Sequence, residues 1–341
     1  MYDTIYLEIR ECDLDTPISF KEEIPCYIDI DKKLSTDGKI VCWLENIKIE
    51  IAGTTLRIKG SLTKWYKGNN IYGLEFNEVE KVIKGLGKVI GVPLEKAKVK
   101  RIDIAQTFKM KYEPRLYFSK LYYLKGFSRS DINVTSLYFN KESKRKNGDN
   151  LQLCLYDKNV ELSNSNGYPL VDRFVNLLRY EFRIKNPKYI FKREIRCFEL
   201  FSGDFYRELI KLWYDMYNSI EKRLESLEDY CEINLNGKKD LYETCLRLCV
   251  MAFDMEREVD IASKKGKVTA QNKSNVLKKI KEIKEELKKS SPALSMIDEL
   301  NDKVRDEYKR QEEEVKRAMN KVRELSFNEH SMFTVLTGRR G

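Results

Sequence analysis

The sequence predicts an α+β fold: a mostly antiparallel central sheet with flanking helices, followed by an α-helical C-terminal region. Three observations predict it. Short stretches scattered over the first 190 residues alternate apolar and polar side chains at the period of two expected of half-buried strands. Between them, Phe76, Val79, Val82, Ile83, Leu86 and Ile90 recur at helical spacing. After Pro187 the character changes, and residues 203–326 become rich in Leu, Lys and Glu at helical periods. The expected division is an α+β domain over 1–200 and a helical accessory domain over 201–341.

In chain order, the first 60 residues read as short strands at Thr4–Ile9, Cys26–Ile30, Lys39–Leu44, Ile47–Ile51 and Leu56–Gly60. The Phe76 helix stops at Gly91-Val92-Pro93, where a glycine and a proline end helical hydrogen bonding. A strand around Asp103 follows, then a short helix near Pro114–Leu121, then strands near Val134–Asn140 and Leu151–Tyr156. Lys144-Arg145-Lys146-Asn147-Gly148-Asp149 reads as a hairpin turn with Asn-Gly at its tip. Helices are expected at Asp204–Leu227, Lys238–Val259, Thr269–Lys289 and Pro292–Leu325. In Val276–Leu287 the apolar residues share one face and the charges are mixed, which favours a bundle face over a coiled-coil partner or a DNA-reading helix.

Three of the strands carry chemistry. In Arg101-Ile102-Asp103-Ile104-Ala105 the isoleucines oppose Arg101 and Asp103. In Leu151–Lys158, Leu151, Leu153 and Leu155 share a face and leave Tyr156 on the other. In Leu178–Ile184, Leu178, Tyr180, Phe182 and Ile184 oppose Arg179, Glu181 and Arg183. On one sheet, these would bring an Asp, a Glu, a Tyr and several bases to a single surface. That set suits attack on a phosphodiester: carboxylates to hold a divalent metal, a phenol as nucleophile, cations for phosphate.

Charge is distributed in keeping with that chemistry. The net charge is +10, yet residues 1–50 carry 6 Lys/Arg against 12 Asp/Glu, residues 51–200 carry 30 against 15, and residues 201–341 carry 28 against 27. The positive excess sits in the segment with the three strands, where it would attract a polyanion. The single histidine, His330, excludes a metal site built on a histidine pair and a zinc peptidase, and argues against a Ser-His-Asp hydrolase. No phosphate-binding loop of the Gly-x-x-x-x-Gly-Lys-Ser/Thr type occurs. Oxygen ligands favour magnesium or manganese. Eight scattered cysteines, without a signal peptide or a membrane-length apolar run, read as reduced thiols of a cytoplasmic protein, with Cys245 and Cys249 as core packing rather than metal ligands.

The same segments resemble the gene II/X replication proteins of filamentous phages and related plasmids, which initiate rolling-circle replication. Leu56–Lys64 running into Lys67-Gly68-Asn69-Asn70-Ile71-Tyr72-Gly73 is similar to the family block upstream of its Arg-Ile-Asp motif, here Arg101-Ile102-Asp103. Tyr156-Asp157-Lys158-Asn159-Val160-Glu161-Leu162 is similar to the nucleophile segment, and Leu178–Ile184 to the closing strand. The match covers roughly residues 50–190, and the Tyr-Asp-Lys and Arg-aromatic-Glu segments also resemble those of staphylococcal-type plasmid initiators. Filamentous-phage relatives carry His where this chain has Asn69.

The resemblance implies a degenerate rolling-circle nickase-like domain that cuts one DNA strand at an origin, forms a 5′-phosphotyrosyl intermediate and rejoins it. Tyr156 is the expected nucleophile, with Lys158 lowering the cost of ionising a phenol whose ordinary pKa is near 10. Asp103 and Glu181 are the expected ligands of Mg2+ or Mn2+, with Asn70 as a candidate third oxygen. Lys59, Lys64, Arg101, Arg179 and Arg183 are the expected phosphate contacts, Arg179 and Arg183 having neutralisation of Glu181 as the alternative. Expected partners are single-stranded origin DNA and host helicase or polymerase, with no membrane partner. Rival readings are a mobilisation relaxase and a non-catalytic origin-binding regulator.

Overall fold

The computed structural model describes residues 1–16, 18–27, 34–36, 39–132, 134–141, 150–163, 175–223, 236–290 and 292–337. In chain order the first elements are β1 (Tyr2–Arg10), α1 (Phe20–Tyr27), β2 (Leu34–Thr36), β3 (Lys39–Leu44), β4 (Ile47–Ala52), β5 (Thr55–Ser61), α2 (Leu62–Lys67) and α3 (Phe76–Ile90). Next come β6 (Lys98–Met110), α4 (Pro114–Phe118), β7 (Leu121–Tyr123), β8 (Phe127–Ile132), β9 (Ser136–Lys141), β10 (Leu151–Asp157), α5 (Lys158–Ser163) and β11 (Asn176–Ile184). The chain then passes through α6 (Pro187–Phe191), α7 (Gly203–Asn218), β12 (Glu221–Lys222), α8 (Lys238–Ala252), α9 (Met255–Lys264), α10 (Ala270–Ser290) and α11 (Pro292–Thr337).

Ten strands form one sheet in the order β2-β3-β4-β5-β1-β6-β11-β10-β9-β8, with every described pairing antiparallel. The period-two pattern gives it two unlike faces. One is apolar: Ile5, Leu7, Ile102, Ile104, Leu153, Leu155, Tyr180 and Phe182 are buried in a core shared with α3 and α7. The helices lie there because only that face offers apolar area to cover. Tyr180 stacks near Trp213 of α7 at 5.0 Å between ring centroids, and its hydroxyl donates to the Trp213 carbonyl at 3.0 Å. The other face carries the polar residues.

Several expected elements change. Cys26 and Tyr27 end helix α1 instead of opening a strand, and residues 28–30 of that expectation lie outside the described ones. The reason is a four-residue spacing: Phe20 and Ile24 are both buried, while Lys21, Glu22 and Glu23 face solvent. The expected Asp204–Leu227 helix ends at Asn218, and Glu221–Lys222 pairs with β7 instead. The expected Lys238–Val259 helix divides because Asp254 caps a new one, its carboxylate accepting from the Arg257 amide at 3.1 Å. Strand β8 has no counterpart among the expected elements, and Val134 lies in the β8–β9 turn at φ 60° rather than in a strand. The expected turn at 144–149 lies outside the described residues, although β9 and β10 do pair antiparallel.

The helical region is not separate from the sheet. Phe205, Leu209, Trp213 and Tyr217 of α7, with Leu300, Val304 and Val315 of α11, belong to the main core. A second small core joins Val250, Val259, Ile280, Ile283 and Leu287, so the apolar stripe of Val276–Leu287 is a bundle face as expected. Cys245 is exposed and Cys249 only half-buried, so neither is the core residue expected. Among the described residues, no helix is long and apolar enough to cross a membrane.

Candidate active site

The three chemistry-bearing strands are neighbours, in the order β6-β11-β10. Asp103 lies opposite Arg183, Glu181 opposite Cys154, and Tyr156 opposite Arg179. All six therefore share the polar face. Glu181 stands opposite Ala105, two residues along from Asp103, which makes the carboxylates diagonal neighbours about 7–8 Å apart at their backbones.

Each carboxylate already has an arginine. Arg101 forks onto Asp103, Nε to Oδ1 at 2.7 Å and Nη2 to Oδ2 at 2.6 Å. Arg183 Nε donates to Glu181 Oε1 at 2.7 Å. Asp103 is fully buried, and burial, with the Glu181 charge adding, pushes its carboxyl up to about 7 despite Arg101. Two buried acids in one patch are a place where a cation would be welcome. Among the described residues, however, no group of three or more His, Cys, Asp or Glu side chains is arranged to hold a metal. The residues fit a partial shell of two hard oxygen donors, in which Glu181 Oε2 lies 4.0 Å from Arg179 Nε.

Tyr156 is half-buried near the end of β10, where Asp157 turns the strand into α5. The Asp157 Oδ1 accepts from the amides of Asn159 at 2.9 Å and Val160 at 3.3 Å, satisfying the first turn of that helix. This turn places Lys158 inward, fully buried, with its ammonium 5.9 Å from the Tyr156 ring centroid. Lys158 donates to Asn70 Oδ1 at 2.7 Å and to the Glu161 carboxylate. Burial, helped by the Arg179 charge, brings the Lys158 ammonium down to about 8. Burial also pushes the Tyr156 phenol well above its ordinary value, with Arg179 pulling the other way.

Arg179 holds these pieces together from beneath. It is fully buried and donates to Asp3 Oδ2 at 2.6 Å, to the Asn70 carbonyl at 2.7 Å and to Thr107 Oγ1 at 3.2 Å. Its Nε has no hydrogen-bond partner among the described residues. Asp3 in turn accepts from Ser61 Oγ at 2.5 Å. Burial alone would raise Asp3, but Arg179 and Ser61 hold it below the usual carboxylate range.

The loop carrying Asn70 is shaped by its glycines. Gly68 caps α2 at φ 74°, a left-handed conformation that favours glycine. At Gly73 a Cβ would stand 3.1 Å from Met1 Cα and 3.3 Å from the Ala105 carbonyl, so the loop lies directly against β1 and β6. Asn69 closes a local turn, its Oδ1 accepting from the Ile71 amide at 3.1 Å.

The structure thus brings together Asp103, Glu181, Tyr156, Lys158, Asn70, Arg101, Arg179 and Arg183. Some roles shift. Asn70, expected as a third metal oxygen, bonds Lys158 with its side chain and Arg179 with its backbone. Arg179, expected to touch phosphate, has no exposed surface with which to do so. Arg183 takes the alternative role of neutralising Glu181. Lys64 is half-exposed and bonds Glu161 at 3.4 Å, and Lys59 is exposed on β5. Asp3 escapes a reading of the sequence, since it precedes the expected strand and its partner lies 176 residues away.

A family model describing the N-terminal region of a phage replication-associated protein, the gene II type, matches residues 1–199. No curated protein matches the chain.

Proposed function

Since the chain belongs to the family of replication-associated proteins matched over residues 1–199, which points to a replication initiator, we propose that it nicks and rejoins one strand of DNA through Tyr156. The observation that supports this most is the shared polar face of β6, β11 and β10, which collects a tyrosine and two buried carboxylates, with the buried Lys158 of α5 beside the tyrosine.

In the proposed reaction the Tyr156 oxygen bonds to phosphorus, the bond from phosphorus to the 3′ oxygen breaks, and the DNA is left with a 5′-phosphotyrosyl link and a free 3′ hydroxyl. The phenol proton passes to Lys158, whose neutral form is accessible because burial lowers its pKa, and the departing 3′ oxygen takes up a proton from water. Asn70 and Glu161 fix the Lys158 nitrogen beside the ring, and Arg179 places positive charge opposite the forming phenoxide. Asp103 and Glu181 would hold Mg2+ or Mn2+, which when bound supplies polarisation of the scissile phosphate. Rejoining reverses the same bonds, with the 3′ hydroxyl as nucleophile and the phenoxide as leaving group.

A non-catalytic origin-binding role has one observation in its favour: Arg101 and Arg183 already neutralise both carboxylates. The deciding experiment incubates the protein and magnesium with a random-sequence single-stranded library and isolates adducts under denaturing conditions. Covalent DNA mapping to Tyr156 is the expected result. Failure to form any adduct, or linkage to another residue, overturns the reading.

A further inference from the structure

Five consecutive strands beside the candidate active site align one residue each into a row. Trp43 of β3 lies opposite Lys48 of β4, Lys48 opposite Lys59 of β5, Lys59 opposite Tyr6 of β1, and Tyr6 opposite Arg101 of β6. We infer that this row is a track for single-stranded DNA, in which bases stack on Tyr6 and Trp43 and the backbone runs over Lys48 and Lys59.

The composition of the row carries the inference. Aromatic and basic residues occupy every position. Lys48 sits 5.7 Å from the Trp43 ring, while Lys59 and Arg101 sit 4.3 and 5.0 Å from the Tyr6 ring. A ring with a cation at its face presents a stacking surface beside a phosphate contact, the pair needed to hold single strands without reading sequence. Lys59 is exposed and forms no ion pair among the described residues, whereas in the adjacent row Glu50 and Glu8 are matched by Lys39, Arg57 and Lys100, with Lys48 of the track a further 4.0 Å neighbour of Glu50. Those carboxylates are therefore neutralised rather than facing a polyanion.

Shape and direction agree. Tyr6 forms a wall of two depressions, one of about 270 Å³ that Lys48 and Lys59 line together with the paired Glu8 and Glu50, and one of about 490 Å³ lined by Lys98, Lys100, Lys185 and Lys188 together with Glu194, which Lys98 pairs. From β3 to β6 the row spans four strand spacings, about 19 Å. Its inner end is joined to the active site, because Arg101 bonds both the Tyr6 hydroxyl at 3.2 Å and Asp103. A strand lying in the track would thus be led to the buried carboxylates.

The track rests on the proposed single-strand chemistry, so its test is made in a Tyr156→Phe background, where no covalent step intervenes. Tryptophan fluorescence is followed while a short oligothymidylate, or the abasic oligomer of equal length, is titrated. Oligothymidylate should quench a signal that is missing in Trp43→Phe. Tyr6→Ala and Trp43→Ala should each bind it about tenfold more weakly, with Tyr6→Phe close to the parent. Lys59→Ala should lower the salt slope by about one. Equal binding of the abasic oligomer, or parental affinity in both alanine variants, overturns the track, even if wild-type protein forms the Tyr156 adduct. Weakened binding in both variants supports it, even if no adduct forms.

Discussion

Arg179 of β11 donates to the Asp3 carboxylate of β1 at 2.6 Å, across 176 residues of sequence and beneath the candidate nucleophile. Both side chains are almost completely withdrawn from water, so neither can lose its partner cheaply. Removing Arg179 alone should destabilise the fold by about 3–5 kcal/mol, because Asp3 is left as a buried unpaired charge. Replacing both, as Arg179→Met with Asp3→Leu, should recover much of that loss. Urea melts of the two single variants and the double variant check this, and additive losses would contradict a coupled pair.

Tyr156→Phe removes one oxygen from a half-buried ring and leaves the strand pairing intact. Covalent adduct formation should vanish while non-covalent DNA binding stays near wild type. Normal nicking by this variant would displace Tyr156 as nucleophile. Tyr180 is no substitute, since it faces the core and is bonded to the Trp213 carbonyl.

Asp103→Asn and Glu181→Gln remove charge with little change in shape. Adduct formation should be lost, or require far more magnesium, with DNA binding retained. An unchanged magnesium titration in both folded variants would make the carboxylates structural partners of Arg101 and Arg183.

The packing of α11 on α3 should depend on pH. Burial and the neighbouring Glu75 push the Glu314 carboxyl up to about 7. Burial acts on Glu75 in the same sense, but hydrogen bonds from Glu314 and Arg310 outweigh it and bring Glu75 down to about 2. A raised folded pKa gives stability that is full below the ordinary value and is lost as pH rises through 7; a lowered one gives stability that is lost as pH falls toward 2. The pair is thus most favourable near the ordinary carboxyl pKa of 4.5. As pH rises from about 5 to 8, wild type should lose melting temperature relative to Glu314→Gln. Identical profiles for the two proteins would contradict it.

A fragment ending at Phe201 should not fold as an isolated domain, although residues 51–200 hold the positive excess. It would strip Trp213 and Tyr217 from Tyr180, and Leu300 and Val304 from the same core. Aggregation, or loss of near-ultraviolet dichroism, is the expected result. A soluble fragment with native dichroism would show that α7 and α11 are accessory. In the full-length protein, charge removal at Lys59 and Lys64 should weaken binding more at low salt than at high salt.

Local periodicity made much of the protein legible in its sequence. The alternation in Arg101–Ala105, Leu151–Asp157 and Leu178–Ile184 assigns every side chain to a face, and β6, β11 and β10 keep those faces. The spacing from Phe76 to Ile90 marks α3 from end to end. The order of the motifs between residues 50 and 190 was likewise enough to anticipate the family. Tertiary structure decided what periodicity cannot encode: which strands are neighbours, and in what register. Only that register puts Arg179 opposite Tyr156, turns Asn70 toward Lys158, and recruits Asp3. It also binds α7 and α11 into the main core, against the composition change near residue 200. The physical reason is range. A strand or helix pattern is set by residues two to four apart, whereas a buried ion pair or a shared core depends on segments a hundred or more residues distant meeting in space.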